Sequence, residues 1–182
     1  KSVFTELNLD YLISREPGGV KISEDIRKIL LDSTNTEMDS KTEALLYAAA
    51  RRQHLVEKIF PALESGKIII LDRFIDSSLA YQGFARELGI QEILKVNNFA
   101  TDNFLPDITF LIDVDAEIAL KRINNRKLDR IEQEDVQFFK TVRNGYLKLS
   151  KMYKDRYIII DGSQEVKYVK ESIRKKFYLS TF

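Results

Sequence analysis

The chain has 182 residues, 44% hydrophobic and 31% charged, with 29 basic against 28 acidic side chains; this suits one globular α/β domain and offers no broad basic field for a polyanion. With no cysteine, disulfides, thiolate metal sites and a cysteine nucleophile are excluded, and His54 is the only histidine on which a Ser-His-Asp triad could be built. No apolar run approaches the roughly 20 residues of a membrane span and no signal peptide is visible at Lys1, so the expectation is a cytoplasmic protein without membrane or nucleic-acid partners, whose anionic ligands are held by local arginines.

Residues 1–10 precede the first strand-like segment, 11–13, although a parallel βαβ unit needs a crossover of a dozen or more residues. The loop Arg15-Glu16-Pro17-Gly18-Gly19 follows. It reads as a turn or as a ligand contact at the carboxyl edge of a sheet. Ser40-Lys41-Thr42-Glu43 has the form of a capping box, and Leu45, Leu46, Ala49, Leu55 and Ile59 keep roughly helical spacing up to a stop near Gly66. Tyr47 and Arg51 share a face of that helix, either as a platform and planar donor for a base or as an amphipathic ring beside a solvated arginine.

Segment 67–71 is a continuous apolar strand ending in Asp72-Arg73. The aspartate suits a helix cap or a carboxylate for Mg²⁺ and its waters, and the arginine beside it can fork onto a phosphate. In a helix near 77–86, Ser78 and Gln82 would line one wall, where a carboxamide can accept from an imide N–H or donate to a carbonyl. Helices are expected at 90–103, 116–126, 133–154 and 165–177, with strands at 108–112 and 157–160. The basic run Lys121, Arg122, Arg126, Lys127 and Arg130 is either a solvated face or a mobile lid whose arginines reach phosphates. His54 is assigned to structure. Strands alternating with helices imply right-handed crossovers and a parallel sheet.

Four stretches in order, 15–19, 42–52, 72–83 and 128–134, together resemble the bacterial thymidylate kinase (dTMP kinase) family. The resemblance runs from about Tyr11 to the last helix. It implies an α/β fold of the P-loop nucleoside-monophosphate-kinase type, one domain over residues 1–182 with a parallel sheet flanked by helices and a lid near 122–133. The implied reaction is transfer of the γ-phosphoryl group of ATP to dTMP, giving dTDP and ADP with Mg²⁺, by a homodimer. Such chemistry needs positioning and positive charge more than a nucleophilic side chain. Carried over by position, Tyr47 would stack on thymine where the family usually has phenylalanine, Arg51 would bond O4, and Ser78 and Gln82 would approach the rest of the base edge. Arg27 and Arg73 would hold the dTMP phosphate, and Tyr81 would pack under the sugar. Glu16 and Asp72 would organise Mg²⁺ and its waters, with Arg126 or Arg130 as the catalytic lid arginine.

The family's phosphate-cradling G-x-x-x-x-G-K-[ST] does not occur in the sequence. Lys1-Ser2 reads as its last two residues, both on ATP and Ser2 also toward Mg²⁺. The expectation is that the first strand and the loop lie upstream of Lys1 and that further residues are absent within 1–10. The alternatives are a non-catalytic nucleotide-binding protein and a kinase for another nucleoside monophosphate.

Overall fold

The computed structural model describes residues 2–123 and 127–181. Among these, four short strands run β1 Tyr11–Arg15, β2 Ile68–Asp72, β3 Thr109–Asp113 and β4 Tyr157–Asp161. All match the expected apolar segments to within a few residues. Each pairing is parallel: β1 with β2, from Tyr11 opposite Ile68 to Arg15 opposite Asp72, and β3 with β4, from Thr109 opposite Tyr157 to Asp113 opposite Asp161.

A parallel sheet flanked by helices was expected, and the described strands form two parallel pairs. One polar cluster bridges the two pairs. Arg156, just ahead of β4, donates to both carboxylate oxygens of buried Asp76, beyond the end of β2, at 2.6 and 2.7 Å, and to Thr109 Oγ1 of β3 at 2.6 Å. A buried carboxylate of this kind is tolerated because both oxygens are paired.

The helices are α1 Ser2–Glu6, α2 Lys21–Leu31, α3 Ser40–His54, α4 Phe60–Glu64, α5 Ile75–Ser78, α6 Ile90–Thr101, α7 Ala116–Ile123, α8 Val136–Met152 and α9 Val166–Thr181. A π-helical segment, Leu55–Ile59, joins α3 to α4, and a second, Leu79–Ala85, continues α5. The long helical path ends as expected at Gly66, whose φ of 82° is left-handed. Its start differs. Asp39, not Ser40, is the N-cap, its carboxylate accepting from the amides of Lys41 and Thr42 at 2.9 and 3.1 Å. Glu43 is therefore released from any capping role, and it is buried.

No helix was expected at α2. Its packed face carries Ser23, which donates to Ala50 O of α3 at 2.7 Å, with Ile26 and Leu30 at helical spacing, while Ile22 and Ile29 are exposed. At the start of the chain, α1 passes into β1 through a turn in which the amides of Asn8 and Leu9 donate to Thr5 O and Phe4 O. Five-residue α1 is too short to act as a crossover.

The core is centred on Leu55, Ile59, Ile75, Leu79 and Leu149, with α8 laid across segment 79–85. Gly145 permits that approach, because a Cβ there would come within 2.9 Å of the Phe84 ring.

Candidate active site

Both β1 and β2 end at one edge, and the chain leaving β1 folds back on it: Glu16 N donates to Asp72 O at 3.0 Å. The next turn needs its glycines. Gly18 and Gly19 have φ of 131° and 93°, and a Cβ on Gly19 would lie 2.5 Å from His54 Nε2. Gly19 N donates to Glu24 Oε1 at 2.8 Å, and this bond, with the Arg15 guanidinium, lowers the Glu24 carboxyl below its usual range.

Glu16 is buried and committed. Its Oε2 accepts from Arg51 Nε at 2.7 Å and its Oε1 faces His54 Nδ1 at 3.2 Å. A carboxylate can only accept, so Nδ1 carries the ring proton and Nε2 accepts from the Ser14 hydroxyl, 2.8 Å away. His54 therefore has the structural place expected of it, within a network that braces Arg51. Arg51 is 2% exposed, and its Nη1 donates to Ser78 Oγ at 3.2 Å and to Asn97 Oδ1. These bonds fix the guanidinium plane and do not use Nη2.

Arg51, Ser78 and Gln82 line a cavity of about 390 Å³ together with Glu16, Tyr47 and Tyr81. Arg27 and Arg73 open onto the same space, Arg27 anchored by a 2.8 Å bond from Nη1 to Pro17 O. Arg73 has a φ of 66°, an uncommon conformation for an arginine, and its guanidinium lies 5.3 Å from the centre of the Tyr81 ring. Burial pushes the Tyr47 phenol up to about 12, which keeps the ring neutral at any working pH.

Two of the expected residues stand elsewhere. The Asp72 side chain is exposed at the end of β2 and does not line the cavity. Arg130 is buried, donating from Nε to Leu30 O at 2.9 Å and from Nη2 to Glu43 Oε2 at 2.6 Å, so it faces α2 and α3 rather than the cavity. Arg126, Lys1 and the Ser2 side chain lie outside the described residues. Asp129, Ile131 and Glu132, within the segment expected to form a lid, line the cavity. Sequence reasoning missed Glu43, because it resembled a cap, and Asn97, because no motif surrounds it.

A cavity at the carboxyl ends of parallel strands, walled by Arg27, Arg73 and the fixed guanidinium of Arg51, is built for an anionic, planar ligand. Among known proteins, the family model for thymidylate kinase matches residues 1–173. The chain belongs to the thymidylate kinase family. It is 54% identical over 169 residues to the thymidylate kinase of Geobacillus sp. (strain WCH70), covering 91% of this chain and 80% of that protein. It is 49% identical over 173 residues to that of Clostridium novyi (strain NT), covering 93% and 84%. With the thymidylate kinase of Lactobacillus helveticus (strain DPC 4571) it shares 53% identity over 167 residues, covering 90% and 79%. The family's P-loop nucleoside-monophosphate-kinase fold accounts for the parallel pairing of the strands. None of the described helices is long and apolar enough to cross a membrane.

Proposed function

We propose that this chain phosphorylates dTMP with ATP, giving dTDP and ADP, and that it works in the cytoplasm as a homodimer. The observation that carries the acceptor assignment is the single cavity shared by Arg27, Arg73, Arg51, Ser78 and Gln82. Arg27 and Arg73 hold the dTMP phosphate, with Tyr47 and Tyr81 against base and sugar. Arg51 Nη2 donates to thymine O4. A buried polar wall of this kind penalises any base that leaves its groups unpaired. The lid excludes water, the competing acceptor, and Arg126 is the lid arginine that serves the phosphates, since Arg130 is committed to Glu43.

Mg²⁺ in such enzymes bridges and neutralises the nucleotide phosphates. Among the described residues no three carboxylate or histidine groups converge on one point. Of the two carboxylates expected to organise Mg²⁺, Glu16 is taken by Arg51 and His54, which leaves Asp72 to hold metal-bound water. One carboxylate fits Mg²⁺, whose other ligands come from phosphates and water. Ser2 is the further candidate.

The homodimer is supported by Phe99 on α6, 88% exposed, and by exposed Leu45 on α3, the two helices being tied by Arg52 to Asp102. Sedimentation equilibrium of Phe99→Glu should show monomer where the native chain is dimeric. Coupled ADP release with dTMP, dUMP, dCMP and dGMP tests the reaction, and absence of turnover with dTMP would overturn it.

A further inference from the structure

Glu43 is a buried carboxylate outside the cavity, yet donors from two further parts of the chain converge on it. Gln82 Nε2 donates to Oε1 at 2.8 Å. Arg86 reaches Oε1 and Oε2 at 3.4 and 3.3 Å, and Arg130 of the lid segment reaches Oε2 at 2.6 Å. Arg86 also pairs with Glu134 at 2.6 Å, so the cluster of two arginines and two carboxylates is internally neutral. A carboxylate accepts and never donates, so the end of the Gln82 carboxamide that faces Glu43 must be its NH₂. The end turned away from Glu43 is the oxygen, and Gln82 lines the cavity.

We infer that Glu43 is a positioning residue that holds the Gln82 carboxamide with its oxygen toward the acceptor base, so that the site receives an imide N–H and refuses a ring nitrogen that itself accepts. The inference rests on the dTMP reading of the cavity. Thymine and uracil present N3–H to that oxygen. Cytosine presents a lone pair and is repelled. Because the same carboxylate seats Arg130, the orientation that selects the base is also the one that docks the lid segment on α2.

Glu43→Gln tests this without changing the size of the side chain. A carboxamide at 43 can donate as well as accept, so Gln82 is free to turn its NH₂ to the cavity. Calorimetric affinities for dTMP, dUMP and dCMP are measured on native and variant proteins, with thermal unfolding to check the fold. The dTMP-to-dCMP preference should fall by roughly tenfold or more, the scale of one misdirected hydrogen bond, while the dTMP-to-dUMP ratio stays unchanged, because both bases carry the same imide edge. A folded variant with undiminished preference against dCMP overturns the inference, as does a loss of affinity shared equally by all three ligands. If Glu43→Gln does not fold, Glu43→Asp keeps the charge that Arg86 and Arg130 need and withdraws the acceptor from Gln82, and the same two outcomes apply. Native protein that binds none of the three sinks the dTMP reading itself, a result distinct from either.

Discussion

The base-reading wall and the phosphate arm of the cavity are built in opposite ways. Around Arg51 the polar groups are buried and interlocked: Glu16, Ser78 and Asn97 bond its guanidinium, and His54 bonds Glu16. Arg73, by contrast, is exposed and rests on the Tyr81 ring. The difference teaches where rigidity is needed. A base edge is distinguished by the placement of single hydrogen bonds and requires donors fixed before the ligand arrives, whereas a dianionic phosphate is attracted from any side and tolerates a more exposed donor.

Breaking the buried wall should have the largest effect. Arg51→Ala leaves Glu16 buried without its main partner and is expected to cost about 3–5 kcal/mol of stability in urea unfolding, with loss of measurable dTMP binding. Gly19→Ala presses on His54 in a left-handed backbone conformation, with an expected cost of about 1–3 kcal/mol by the same measurement. Arg73→Ala sharpens the contrast from the other side. Unfolding should be unchanged within about 0.5 kcal/mol, while dTMP affinity by calorimetry falls roughly 10- to 100-fold as a charged hydrogen bond is lost. The smallest effect concerns the loop. The Glu24 carboxyl is lowered on folding by the Gly19 amide, so its contribution is present above the unfolded value and is lost as pH falls through the folded one. Glu24→Gln should therefore flatten the acid limb of the stability profile and leave its neutral and alkaline limbs parallel to the native ones.

Much of the fold was legible because the strands are continuous apolar runs and because Gly66 punctuates the longest helical path. Helix α2 was not among the expected helices, although Ser23, Ile26 and Leu30 keep helical spacing on its packed face. The contact of Arg156 with Asp76 and Thr109 could not be foreseen, since these residues are distant in sequence. At the site, Arg51, Arg73, Ser78 and Gln82 stood within recognisable stretches and meet at one cavity. The groups that orient them were not legible. Glu43 carried the signature of a cap, and Asn97 is one polar residue in an otherwise ordinary helix. Arg130 shows the reverse case: its charge marked it for the phosphates, and burial beside Glu43 gives it a seating contact instead.

The central claim is that the fixed wall reads the imide edge of an acceptor base, and competition calorimetry with dTMP and dCMP on the native chain tests it most directly. The account predicts that dTMP binds and that dCMP binds at least roughly tenfold more weakly. Equal affinities for the two nucleotides would contradict it.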